Sequence, residues 1–175
     1  MVKNIYLLLI AIALLTSCCK KFSDLTMKKT PYFGDELRID GYYYSNMDSG
    51  WGTGVAVFYR DGFCIHMFTD PKSSDTLSYI ENEFLLNKSF ISKIKQKPSW
   101  IGVFQINKGS IEFETWEAAG KYITTYSHYG KIINDTTFTV NKRRNNDQNR
   151  TSSLNLIYRF KQFNPKPDST NVYVK

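Results

Sequence analysis

Apolar and polar residues alternate along most of this chain with a period of two rather than 3.6. Residues 37–44 put Leu37, Ile39, Gly41 and Tyr43 on one side and Arg38, Asp40, Tyr42 and Tyr44 on the other. That pattern predicts a strand with two distinct faces. Two apolar-rich runs, 53–60 and 63–69, flank Asp61-Gly62. The pair predicts a type I′ hairpin, because Gly accepts the positive φ that the turn needs. The same reading places strands over 100–106 and 110–116, joined by Asn107-Lys108-Gly109. Further strands follow over 121–128, 131–133, 136–140 and 154–163.

Residues 75–96 break the alternation. Leu77, Ile80, Phe84, Ile91 and Ile94 recur at mostly helical spacing. Ser78 with Glu81 predicts a capping box, Asn87-Lys88-Ser89 divides the segment into two short helices, and Pro98 ends it. The chain is therefore expected to be all-β with one helical insertion: an up-and-down antiparallel meander of eight or nine strands. Such a meander leaves two exposed edges unless it closes. An eight-stranded barrel removes both edges and is just wide enough for side chains or one small ligand; an open, strongly curved sheet with the helix covering its mouth is the alternative.

The first 17 residues follow another rule. Lys3 precedes an unbroken apolar run, 5–15, and then Thr16 and Ser17. Eleven residues at about 1.5 Å each are too short to span a bilayer, and this order of segments is that of a secretory signal. Leu15-Thr16-Ser17-Cys18 resembles the bacterial lipobox. The resemblance implies cleavage before Cys18, a diacylglycerol on its sulfur and an anchor in the lipid bilayer. Two or three acyl chains hold firmly where one does not. The expected organisation is a signal peptide over 1–17, a tether over 18–36, a barrel domain over 37–163 with its insertion at 75–96, and a tail over 164–175. No acidic run follows Cys18, which favours the periplasmic face of the outer membrane over the cell surface.

Removal of the signal changes the composition. The precursor carries +7; loss of Lys3 leaves 22 basic and 16 acidic residues, or +6. The mature chain retains 26 of 27 aromatic residues, too many for a disordered or coiled-coil chain. Three cysteines exclude a dense disulfide scaffold, and Cys64 is expected as a buried free thiol.

Several segments resemble the lipocalin-like (calycin) lipoproteins of Bacteroidetes. They are LRIDGYYY at 37–44, Tyr59-Arg60-Asp61-Gly62-Phe63, Trp100-Ile101-Gly102-Val103-Phe104, and the run GKIINDTTF at 130–138. The resemblance implies a barrel over about 37–163. Gly41-Tyr42-Tyr43 would stand where lipocalins carry Gly-x-Trp, with Arg159 as the partner of that aromatic. Asp75-Thr76-Leu77, Asp135-Thr136-Thr137 and Asp168-Ser169-Thr170 resemble the O-glycosylation site of the same bacteria, which implies Thr76, Thr136 and Ser169 as acceptors.

Candidate chemistry is sparse. There is no G-x-S-x-G elbow, and His66 and His128 are the only imidazoles. Cys64 and His66 share one strand face, about 7 Å apart, and with His128 could form a metal site. The expectation is nevertheless ordinary strand residues, with no catalytic set, metal or cofactor. Glu112, Glu114 and Trp116 share another strand face. Gly50-Trp51-Gly52-Thr53-Gly54 reads as a rim loop in which Trp51 could gate an opening. Lys142-Arg143-Arg144 and Arg150 read as a basic loop tip, and an envelope location removes nucleic acid as its partner. The functional expectation is a non-enzymatic binding module for a small hydrophobic molecule or glycan, with Tyr42, Tyr44, Glu112, Glu114 and Trp116 as contacts. The alternative is an envelope structural or protein-interaction lipoprotein that works through its surface. The pattern specifies no oligomeric state.

Overall fold

The computed structural model describes residues 22–46, 52–70, 75–119 and 122–175. The signal segment, Cys18, Cys19 and Trp51 lie outside them. The elements are β1 (Gly41–Asn46), β2 (Thr53–Phe58), β3 (Phe63–Thr69), α1 (Thr76–Ile80), a π turn (Glu81–Leu85) and α2 (Lys88–Gln96). They continue with β4 (Ile101–Asn107), β5 (Ser110–Ala119), β6 (Tyr122–Asn134), β7 (Thr137–Asn145) and β8 (Arg150–Gln162). Each strand pairs antiparallel with the next, and β1 closes the ring on β8 through Gly41–Tyr44 against Arg159–Gln162. The fold is the expected all-β, lipocalin-like closed barrel.

Period-two alternation sends side chains to two cores. The inner one contains Tyr43, Ala56, Phe58, Cys64, Phe104, Phe113, Phe138 and Tyr158, all essentially without solvent contact. Phe58 meets Phe104 at 4.7 Å between centroids, and Phe138 stacks on Tyr158 at 4.7 Å. The base of the lumen is therefore filled by rings in contact, and Tyr32 and Leu37 join the same cluster.

The outer core lies on the far side of the wall. Val55, Val57, Phe63, Ile65, Met67, Ile101 and Val103 face outward from β2, β3 and β4, yet they too are buried. Ile80, Leu85, Ile91 and Ile94 of the helical insertion cover them, together with Phe22, Leu25 and Met27 and with Tyr173 and Val174. Residues 22–36, expected as tether, thus run along the barrel. The Tyr32 amide donates to the Arg60 carbonyl, and Gly62, at φ +85°, passes so close to Thr30 that a Cβ there would lie 2.2 Å from its carbonyl oxygen. The expected tail is also docked: Tyr59 Oη donates to the Pro167 carbonyl, and Lys166 Nζ to the carbonyls of Ile39 and Phe58.

Several local expectations are corrected. The β2–β3 connection has positive φ at Gly62 but not at Asp61, so it is not type I′. The Gly62 amide instead closes a turn on Tyr59, followed by a left-handed Gly. Both central residues of the β4–β5 turn, Lys108 and Gly109, have positive φ, as type I′ requires. Helix α1 is capped by Asp75, whose carboxylate accepts from the Ser78 amide, and not by Ser78. Asn87 does split the insertion, capping α2 through the Phe90 amide. The runs 121–128 and 131–133 form one strand, β6. The basic stretch 142–144 lies within β7 rather than in a loop, and the turn falls at 146–149.

Candidate functional site

The upper half of the lumen is polar. The ends of β1, β3, β5 and β7 and the starts of β2, β6 and β8 surround this end, here called the mouth. From β3, His66 projects inward beyond Cys64. From β5, Thr115 and Glu117 continue the inward face of Phe113. His128 of β6 pairs with Phe113 on one side and Arg143 of β7 on the other. An irregularity between Val140 and Lys142 shifts the β7 register, so Arg143 takes the inward position. Ser45 completes the wall beside the Tyr158 hydroxyl.

His66 and His128 have ring centroids 4.7 Å apart, and His128 stacks on Phe113. His66 Nε2 lies 2.8 Å from Tyr158 Oη. Glu117 divides its carboxylate: Oε2 receives the Arg143 guanidinium, while Oε1 stands 3.7 Å from His128 Nε2. Arg143 also covers the Tyr126 ring at 3.7 Å. Gly54 leaves the space in which the Ser45 and Tyr158 hydroxyls meet, since a Cβ there would lie 2.7 and 2.6 Å from them.

Burial sets the protonation states. It lowers His66 to about 3, with Arg143 adding to the effect. It also lowers His128, aided by His66 and Arg143. Both imidazoles are neutral at pH 7. Burial raises Glu117 to about 7 against the opposing pull of Arg143. The carboxyl therefore sits near balance between its two forms.

This cluster is not internally satisfied. Among the described residues, the buried side-chain polar atoms without a hydrogen bond are Ser45 Oγ, His66 Nδ1, Thr115 Oγ1, Glu117 Oε1, both His128 ring nitrogens and Arg143 Nε. All lie at the mouth. The carbonyls of Phe113 and Tyr126 face His128 without reaching hydrogen-bonding geometry. An orphaned buried polar group costs about 1–3 kcal/mol, so groups of this kind are ordinarily met by protein, water or a ligand.

The residues expected as ligand contacts lie elsewhere, on the outer face. Tyr42 Oη donates to Glu81 Oε1 of the π turn at 3.0 Å, and its ring packs near Tyr44 and Phe163. Trp116 Nε1 donates to the Ser23 carbonyl, and its ring meets Phe22. Glu114 accepts from the Thr26 amide and hydroxyl, the Met27 amide and Asn146 Nδ2. Glu112 is half-buried beside Tyr129. The first group is on β1 and the second on β5, four strands apart in the ring. Arg159 is exposed and faces outward opposite Tyr44, while Tyr43 stands inside and donates to the Arg38 and Asp135 carbonyls. Thr76 opens α1, Thr136 bonds Asn134 in the β6–β7 turn, and Ser169 lies in the C-terminal segment; all three are half-buried.

Sequence reasoning paired His66 with Cys64 and noted His128, but it did not single out Glu117 and it placed Arg143 in a basic loop tip. The available signal was period two: Phe113, Thr115 and Glu117 occupy the face opposite Glu112, Glu114 and Trp116. No family model, curated protein or solved structure matches the chain.

Proposed function

We propose that this chain is a lipid-anchored cell-envelope binding module whose lumen holds a small polar ligand at the mouth. The Cys18 motif supports the anchor and the closed barrel supports a module of this class. The observation that carries the ligand reading is the concentration of unpartnered donors and acceptors on Ser45, His66, Thr115, Glu117, His128 and Arg143. The ring-filled base leaves a hydrophobic ligand no room there. Of the two expected ligand classes, a hydrophobic molecule or a glycan, the site therefore favours one that presents hydrogen-bonding groups. Strands supply every one of these side chains, so the site is held rigidly before binding, which lowers the ordering cost.

Native mass spectrometry of the full lipidated chain, released gently from its membrane, tests this reading. The expected result is a mass beyond polypeptide and acyl groups that is lost in Glu117→Gln. A wild-type chain that carries only its own mass and its acyl groups overturns it.

A further inference from the structure

We propose that His66, His128 and Glu117 form a binding site for a divalent transition metal of the zinc class. The inference rests on reading the mouth as a binding site, and it names what is bound. Three buried residues on three different strands each offer one ligand atom, and these atoms lie within 4.8 Å of one another. Two imidazole nitrogens and one carboxylate oxygen are a donor set that zinc and its neighbours accept. Both histidines of the chain are in this cluster.

The hydrogen-bonding pattern favours a metal over mutual pairing. Glu117 Oε2 is taken by Arg143, but Oε1 has no hydrogen-bonding partner. Both nitrogens of His128 are likewise unpartnered, as is His66 Nδ1. His66 Nε2 is engaged by Tyr158 Oη at 2.8 Å. A metal on Nδ1 would place the proton on Nε2, where it donates to Tyr158. That is the outer-shell contact by which ligating histidines are ordinarily oriented. Metal–ligand bonds of about 2.0–2.1 Å require donors roughly 3.3 Å apart in a tetrahedron. Donors within 4.8 Å of one another would therefore close by up to about 1.5 Å on binding.

Charge identifies the fourth ligand. Ionised as a metal ligand, Glu117 cancels Arg143, so a divalent ion brings two uncompensated positive charges into a buried lumen. An anion in the open coordination position, hydroxide or a small carboxylate, reduces that cost. The Thr115 hydroxyl, which has no hydrogen-bonding partner, lines the same end of the lumen.

The test is titration of the full mature chain, stripped with a chelator, with zinc alone. Cobalt is then used as a spectroscopic reporter. The expected result is one zinc per chain with a dissociation constant on the order of 1 μM or tighter, and a zinc-dependent rise in melting temperature. His128→Gln and Glu117→Gln are expected to lose about 100-fold or more in affinity and to lose the rise in melting temperature. Tyr158→Phe acts through His66 and should cost about 10-fold, with a shifted cobalt absorption band that a merely structural role would leave unchanged. Circular dichroism checks that each variant folds, and the wild-type titration decides the matter even where one does not. Zinc binding that the folded variants retain overturns the site. If zinc does not bind wild type but an organic mass accompanies the native chain, the metal falls and the binding module stands. If neither is found, both fall.

Discussion

Glu114 and Glu117 are three residues apart on β5, and the pleat turns them to opposite faces. Glu114 is fully buried on the outer face, yet its carboxylate gathers the Thr26 amide and hydroxyl, the Met27 amide and Asn146. It therefore fastens the N-terminal segment to the wall. Glu114→Ala would strand those donors and is expected to destabilise the fold by about 2–4 kcal/mol in urea unfolding. Tryptic cleavage at Lys28 or Lys29 should accelerate as well. Wild-type stability and protease resistance would show that Phe22, Leu25 and Met27 hold the segment without it. The alternation of these residues was legible in the sequence, but their direction was not. On most barrels the polar face is outside. Here the outer face of β1–β5 is a second core, so both faces carry buried aromatics and buried carboxylates. Trp116 beside two glutamates looked like a binding face because such packing and such a site draw on the same residue types.

At the scale of elements, short apolar strands and their turns were readable because both depend on local chemistry. The mouth halves of β7 and β8 were not. There the inward position at Arg143 is polar and its outward neighbours Lys142 and Arg144 face water, so apolar periodicity vanishes although the ladder continues. The terminal segments were obscured differently: their apolar residues are single and unspaced, and what orders them is a distant wall. Lys166 illustrates this. Its ammonium donates to the Ile39 and Phe58 carbonyls and lies 4.4 Å from the centre of the Tyr59 ring. Burial lowers it from 10.5 to about 8, with Arg60 acting in the same direction and Asp40 opposing. Below pH 8 both the folded and unfolded states hold this proton. Between about 8 and 10.5 the unfolded chain holds more of it, so this group's contribution to stability rises with pH. Unfolding free energies of wild type and Lys166→Met, measured from pH 7 to 10.5, should diverge across that window. Wild type should gain at most about 3 kcal/mol relative to the variant. A pH-independent difference would mean that the folded chain keeps the ammonium charged.

At the scale of the molecule, the docked N-terminal segment would fix which end of the barrel meets a membrane if Cys18 carries the proposed lipid. Phe22 bridges Ile123 at the start of β6, Ser23 Oγ donates to Asp147 in the β7–β8 turn, and the Ser23 carbonyl accepts from Trp116. All of these lie at the mouth. Only three residues separate Phe22 from Cys18, four Cα steps with a reach of about 14 Å when fully extended. With Cys18 lipidated, the mouth would be held beside the bilayer. The β4–β5 turn at Lys108 would stand away from it by most of the strand length. Ten residues of β5 span about 33 Å along the strand, or roughly 25 Å in height once tilted. The proposed ligand site would then open toward the headgroups. Labelled palmitate must first enter wild type and not Cys18→Ala. Spin labels at Tyr122→Cys, which is 72% exposed, and at Lys108→Cys then measure the orientation in vesicles carrying a headgroup-bound relaxation agent. Strong relaxation at 122 and little at 108 is expected. Equal relaxation at both would mean that the barrel turns freely on its anchor. The reverse order would place the mouth away from the membrane, where its ligand would have to arrive from solution.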